Sequence, residues 1–209
     1  MNEIIVISPE NTIEYLRSVF SDNILQDISD SIYAIERDFK GDGSGLNASG
    51  FSDKYMRKKL AEIIPSLKEI DKGDADWSIN YHDLSFKKIR GKSTIALNWS
   101  KNPKGAKVKD LFENDIMLMI SKTCQWWKKN PREFDPEIDY AKSINRGFYI
   151  IDKYYLKQNI NLGPNNKSNN VISEKQLYLA VINSLERDLF IEMPKPLGIK
   201  TFNILKAFE

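Results

Sequence analysis

The chain is short of the residues on which many chemistries depend. Its 209 residues include one cysteine, Cys124, and one histidine, His82. A lone cysteine excludes an intrachain disulfide and any zinc site built from several thiolates, and it fits a reducing cytoplasm. With no histidine placed to activate it, Cys124 reads as a small buried hydrophobe. No apolar run approaches the roughly 18 residues of a membrane span. The N-terminal "MNEIIVIS" lacks the basic start and long apolar stretch of a signal peptide, so the expected compartment is the cytoplasm. Charge of one sign is also lacking: 31 basic against 29 acidic side chains leave a net charge of +2. Nucleic-acid binding would therefore have to come from local clusters, such as Lys87, Lys88, Arg90 and Lys92, or Lys101, Lys104, Lys107 and Lys109.

What is present is the composition of a folded protein, with 41% hydrophobic and 29% charged residues. The length suits one domain over residues 1–209, with a helical N-terminal part (1–65), a sheet core (74–160) and a C-terminal loop and helix (161–209). Ser8 before Pro9 starts a helix whose Ile13, Leu16, Val19 and Phe20 recur at helical spacing. A second helix follows from about Asp22, with Ile24, Leu25, Ile28, Ile32 and Ile35 on its stripe. The stretch "GDGSGLNASG" is expected as a loop, and "FSDKYMRKKLAEII" as a third helix closed by Pro65. "WSINYHDLSFKKI" and "STIALNWS" are expected as two strands joined by a turn at Arg90–Lys92. A long helix is expected over "KVKDLFENDIMLMISKTCQWWKK", a strand over "RGFYIIDKYYL", and a last helix opened by a capping box from Ser173 to Gln176. Strands alternating with helices predict an α/β sandwich.

The residues that carry chemistry gather between Asp74 and Ser100, "DADWSINYHDLSFKKIRGKSTIALNWS". Asp74, Asp76 and Asp83 stand before or inside the strand that bears Lys87. Alternate residues of a strand share a face, so Asp83, Ser85 and Lys87 point one way while Leu84 and Phe86 point into the core. An acid, a hydroxyl and an ammonium along one edge suit hydrolysis of a phosphodiester. A carboxylate can hold Mg²⁺, which takes few protein oxygens and keeps water, and an ammonium can orient or deprotonate the attacking water. The same spacing also suits the solvated face of a plain two-stranded ribbon.

The run "DLSFKKIRGKSTIALNWSKNPKGAKVKDLF", followed by "ISKTC", resembles the active-site block of small type II restriction endonucleases of the PD-(D/E)xK superfamily, in particular those that cut GGCC. The matching residues are Lys87, Lys88, Ala96, Leu97, Asn98 and Lys104. More weakly, the likeness reaches back to the helix around Asp53 and forward to "GFYIIDK". It implies a restriction-endonuclease-like central mixed sheet flanked by helices, Mg²⁺ as cofactor, double-stranded DNA as substrate, and a homodimer, since two symmetric sites cut both strands of a palindrome. By this resemblance Asp76 takes the place of the first acid and Lys87 that of the lysine. Where the family has its second acid this chain has Ser85, so a carboxylate from elsewhere is implied. Asp83 on the same strand face is the nearest, Glu113 in the following helix is another, and Asp53 resembles an auxiliary acid on the preceding helix, with Asp74 a further candidate. Lys88, Arg90, Lys101, Lys104 and Lys107 would hold phosphates.

Other residues carry weaker signals. His82 falls on the strand face opposite Asp83, which favours a packing or DNA-facing role over a catalytic one. Trp126 and Trp127 read as packing on a helix. The loop "NLGPNNKSNN" (161–170) holds five asparagines and Lys167, and can reach base edges or phosphates. Two further classes stay open: a catalytically inactive DNA-binding module, favoured by Ser85, and a structural or interaction protein, favoured by the near-neutral charge.

Overall fold

The structure, a computed structural model, describes residues 7–39, 48–72, 75–91, 95–96, 113–125, 143–160, 171–172 and 174–199. Three helices come first: α1 (Pro9–Val19), α2 (Asp22–Asp38) and α3 (Ala48–Ile63). The Ser8 hydroxyl accepts the Asn11 N–H (3.2 Å) and the Ser21 hydroxyl accepts the Ile24 N–H (3.4 Å), so α1 and α2 each begin on a capping serine. Their apolar stripes are buried at Ile13, Leu16 and Phe20 and at Leu25, Ile28, Ile32 and Ile35. The third helix starts at Ala48, inside the glycine-rich stretch expected as a loop.

The remaining elements are β1 (Lys68–Lys72), β2 (Ala75–Ile79), β3 (His82–Ile89), β4 (Ile95–Ala96), β5 (Asp115–Ile120), β6 (Cys124–Gln125), β7 (Ser143–Ile144), β8 (Gly147–Ile151), α4 (Lys153–Asn159), β9 (Val171–Ile172), α5 (Glu174–Glu186) and β10 (Phe190–Glu192). Six of the strands form one sheet in the order β1-β2-β3-β5-β8-β10. It is mixed: β3 and β5 run parallel and the other neighbours antiparallel. Each face of the sheet has its own core. Trp77, Leu84, Phe86, Met117, Met119, Phe148 and Ile150 meet α1, α2 and α3, while Ile116, Leu118, Ile120, Tyr149 and Ile151 meet α4 and α5. At the edge strand, a Cβ on Gly147 would collide with the Ile191 carbonyl oxygen, so only glycine lets β10 lie this close to β8.

Three expectations are corrected. Residues 115–120 form a strand rather than part of a long helix. "DIMLMI" lies between β3 and β8 with both faces covered and every residue buried, and a continuous apolar run of that length reads alike as buried strand or buried helix. The hairpin joins β2 to β3, not β3 to β4: Asn80 and Tyr81 turn the chain at φ 49° and 69°, as two-residue hairpins demand. β4 pairs instead with β9. The strand expected over "RGFYIIDKYYL" ends at Ile151, because the Asp152 carboxylate accepts the Tyr154 N–H (2.7 Å) and caps α4. The capping box at Ser173 and the tryptophans at 126 and 127 lie outside the described residues. Cys124 begins β6.

Candidate active site

Asp76 stands where β2 and β3 part. Their register runs Ile79↔His82, Ser78↔Asp83, Trp77↔Leu84, and one step further Ser85 faces Asp76. There the Asp76 carboxylate takes over from the backbone ladder. Its Oδ2 accepts the Phe86 N–H at 2.8 Å and the Ser85 hydroxyl at 3.4 Å. Its Oδ1 accepts Nη1 of Arg57 at 3.2 Å. Arg57 comes from α3, where its Nε also lies 3.2 Å from Asp53 Oδ2. The guanidinium spreads over the stacked rings of Trp77 and Phe86, whose centroids are 5.6 and 5.4 Å from its carbon. Burial alone would lower the Arg57 pKa, but the charges of Asp76 and Asp53 and the hydrogen bonds to both raise it above its ordinary value.

Strand alternation places Asp83, Ser85 and Lys87 on the face opposite Leu84 and Phe86. Asp83 and Lys87 thus flank Ser85 on that face, and Asp83 pairs with Ser78, two residues along β2 from Asp76. Lys87 is half-buried and makes no hydrogen bond or ion pair among the described residues. Its neighbour on β5 is Leu118, so an ammonium and a carboxylate border a strip of apolar sheet. Among the described residues no three histidine, cysteine, aspartate or glutamate side chains gather as a metal cage. An ion that accepts one or two carboxylates and completes its shell with water, as Mg²⁺ does, asks for no more than a pair of acids. Asp76, joined by Asp53 or Asp83, is the set that could hold it.

Several expected site residues are placed elsewhere. Lys88 points to the opposite face from Lys87, and its side chain is 1% exposed, with the ammonium 3.2 Å from Glu36 on α2. It forms an internal ion pair. Arg90 is exposed, with Nε 3.2 Å from the other oxygen of Glu36. Glu113 is not in a helix: it precedes β5, whose first residue is level with Leu84, and so sits toward the opposite end of β3 from Lys87. His82 is buried, with Nε2 2.6 Å from Asp115 Oδ2 and Nδ1 against the Thr12 hydroxyl, so it ties α1 to β5 and faces no solvent. Asp74, Lys101, Lys104, Lys107 and Lys167 lie outside the described residues.

The sequence reading passed over Arg57 and Glu36. Arg57 follows Asp53 by four residues, a spacing that puts both on one helical face, and that was the signal available. Its link to Asp76 is tertiary.

A mixed sheet covered on both faces, with an acid at a strand divergence and a lysine on the adjoining strand, defines an α/β protein whose candidate site is built from β2, β3 and α3. A solved structure described as "Restriction endonuclease in complex with substrate DNA" is similar to this chain, with a TM-score of 0.50 and 14% identity, over 94% of each chain. The chain has a restriction-endonuclease-like fold. No family model and no curated protein sequence matches it. Among the described residues no helix is long and apolar enough to cross a membrane.

Proposed function

We propose that the protein is a Mg²⁺-dependent endonuclease that hydrolyses phosphodiester bonds of double-stranded DNA at specific sites, as a type II restriction enzyme does. The observation that carries this reading is the set Asp76, Ser85 and Lys87 at the point where β2 leaves β3, within a restriction-endonuclease-like fold. The resemblance to the GGCC-cutting enzymes adds to it, and GGCC is the first sequence to try. A bound Mg²⁺ would supply Lewis-acid stabilisation of the phosphate and lower the pKa of a bound water. Asp76 would anchor the ion. Lys87, free of competing partners among the described residues, would orient the attacking water and stabilise negative charge as it builds on the phosphate. Two copies of the chain, related by a twofold axis, would present one such site to each DNA strand.

A second reading, a DNA-binding module on the same fold without catalysis, is favoured by one specific observation: Ser85 occupies the strand position facing Asp76 and supplies no carboxylate. Incubation with unmethylated DNA and Mg²⁺, followed by sequencing of the fragment ends, separates the two. Discrete ends at one recurring sequence support the nuclease. Intact DNA, bound with an affinity that falls steeply as salt rises, supports the binding module.

A further inference from the structure

We propose that Arg57 gates the metal site. Its guanidinium holds Asp76 and Asp53 together, and a divalent cation must displace it before those carboxylates can become metal ligands. This rests on the nuclease reading above and adds to it the identity of the second acid, Asp53, and a control on when metal enters.

The geometry is that of a cation already in place. Nε meets Asp53 Oδ2 and Nη1 meets Asp76 Oδ1, each at 3.2 Å, so one planar group bridges two carboxylates from different elements. The other oxygen of Asp76 is engaged by the Phe86 N–H. The oxygen open to a metal is therefore the one that Arg57 holds. Two carboxylates and one guanidinium sum to a single negative charge; replacing the guanidinium by a divalent ion neutralises the pair and leaves Arg57 as a free cation beside it. Arginine keeps its proton in a folded protein whatever its surroundings, so Arg57 cannot yield by losing it. It can yield only by moving. Its side chain keeps 31% of its surface exposed, so a path to solvent exists, and the move also takes the guanidinium off the rings of Trp77 and Phe86.

A DNA phosphate is the anion that would draw the displaced guanidinium, since Arg matches phosphate with the same planar fork it offers carboxylate. DNA binding would then open the metal site, and by linkage metal would raise DNA affinity by the same factor. Arg57 is thus a positioning residue that couples metal to substrate.

Mn²⁺ binding to the DNA-free protein, measured by titration calorimetry and by the shift of the thermal midpoint with Mn²⁺, tests it. Arg57→Gln is expected to bind Mn²⁺ roughly five- to 150-fold more tightly than the parent, the usual span of such couplings, and to gain a larger Mn²⁺-induced rise in Tm. Arg57→Lys, whose ammonium cannot span both carboxylates, is expected between the two and serves if the glutamine variant folds poorly. Adding Asp76→Asn or Asp53→Asn to Arg57→Gln should abolish the gain. Equal Mn²⁺ affinity in parent and both Arg57 variants overturns the gate while leaving the nuclease reading standing, provided the parent cuts DNA with Mg²⁺. If neither parent nor variants bind Mn²⁺ and the parent leaves DNA intact with Mg²⁺, both readings fall together. Binding by the Arg57 variants alone supports the gate directly.

Discussion

Glu36→Gln is the substitution that most sharply separates a structural lysine from a phosphate-binding one. Glu36 collects the Lys88 ammonium at 3.2 Å, the Ser121 hydroxyl at 2.9 Å and the Arg90 Nε at 3.2 Å. Arg146 lies near enough to feel the same charge, although burial, the larger effect, pushes its guanidinium below its ordinary value. The Lys88 side chain is 1% exposed and that of Glu36 13%. Removing one charge of a buried pair strands the other, at a cost of about 3–5 kcal/mol. The glutamine oxygen still accepts one hydrogen bond and Arg90 can turn to water, so the low end, about 3 kcal/mol, is expected. For a chain of this size that lowers Tm by roughly 6–12 °C. Urea unfolding should show a lower midpoint at unchanged slope. Adding Lys88→Met should recover part of the loss, because an apolar side chain fills the buried space without a charge to leave unpaired. In the parent background, Lys88→Met should leave the salt dependence of DNA binding as it was, whereas a lost phosphate contact would flatten the slope by about 0.9. A cost below about 1 kcal/mol for Glu36→Gln, or a flattened slope for Lys88→Met, would refute the burial argument.

The split between Lys87 and Lys88 was legible in the sequence, since adjacent strand residues face opposite ways. Reading the two lysines as one basic patch set that alternation aside. The capping Ser8 marked α1 and the apolar stripes marked α1 and α2 because those signals are local: Ser8 and Asn11 are three residues apart. The strand β5 was hidden for the reason that it is central. Burial on both faces removes the alternation that identifies a strand, leaving an apolar run compatible with either structure. The turn at Asn80–Tyr81 lacks the glycine that marks most two-residue hairpins. The site's arginine bridge was out of reach for a different reason. Arg57 and Asp76 are 19 residues apart and Lys88 and Glu36 are 52 apart, and no local pattern specifies such pairings. They exist only once α2 and α3 pack on the sheet. What spacing could supply was the list Asp76, Asp83, Ser85 and Lys87; which carboxylate shares a cation with Asp76 needed the fold.

Lys87→Ala is expected to abolish cleavage and to leave specific binding largely in place, because binding is spread over many phosphate contacts while the ammonium acts on the water and the building charge; cleavage within about tenfold of the parent would remove Lys87 from the mechanism. Glu10 supplies a pH test of the fold: burial pushes its pKa up, but the hydrogen bond and charge of Arg187, which also holds Asp152, outweigh this and leave it below the ordinary value. Its contribution is therefore complete above the ordinary carboxylate range and fades as pH falls through the depressed pKa, so Glu10→Gln should show a flatter loss of stability in acid than the parent, and an identical acid limb would count against the pairing. The last test concerns the second acid. Asp53 shares a guanidinium with Asp76, whereas Asp83 lies across from Ser78, a step toward the hairpin. If Asp53 is the partner, Asp53→Asn should lose cleavage as fully as Asp76→Asn, while Asp83→Asn stays close to the parent and Ser85→Ala is mild. Ser85→Glu would bring a carboxylate directly against Asp76, a repulsion that a bound divalent cation relieves, so folding stability should come to depend on Mg²⁺. Normal cutting by Asp53→Asn with loss in Asp83→Asn would move the second ligand onto β3, and Ser85→Glu cutting faster than the parent at low Mg²⁺ would make the strand position itself the natural ligand site.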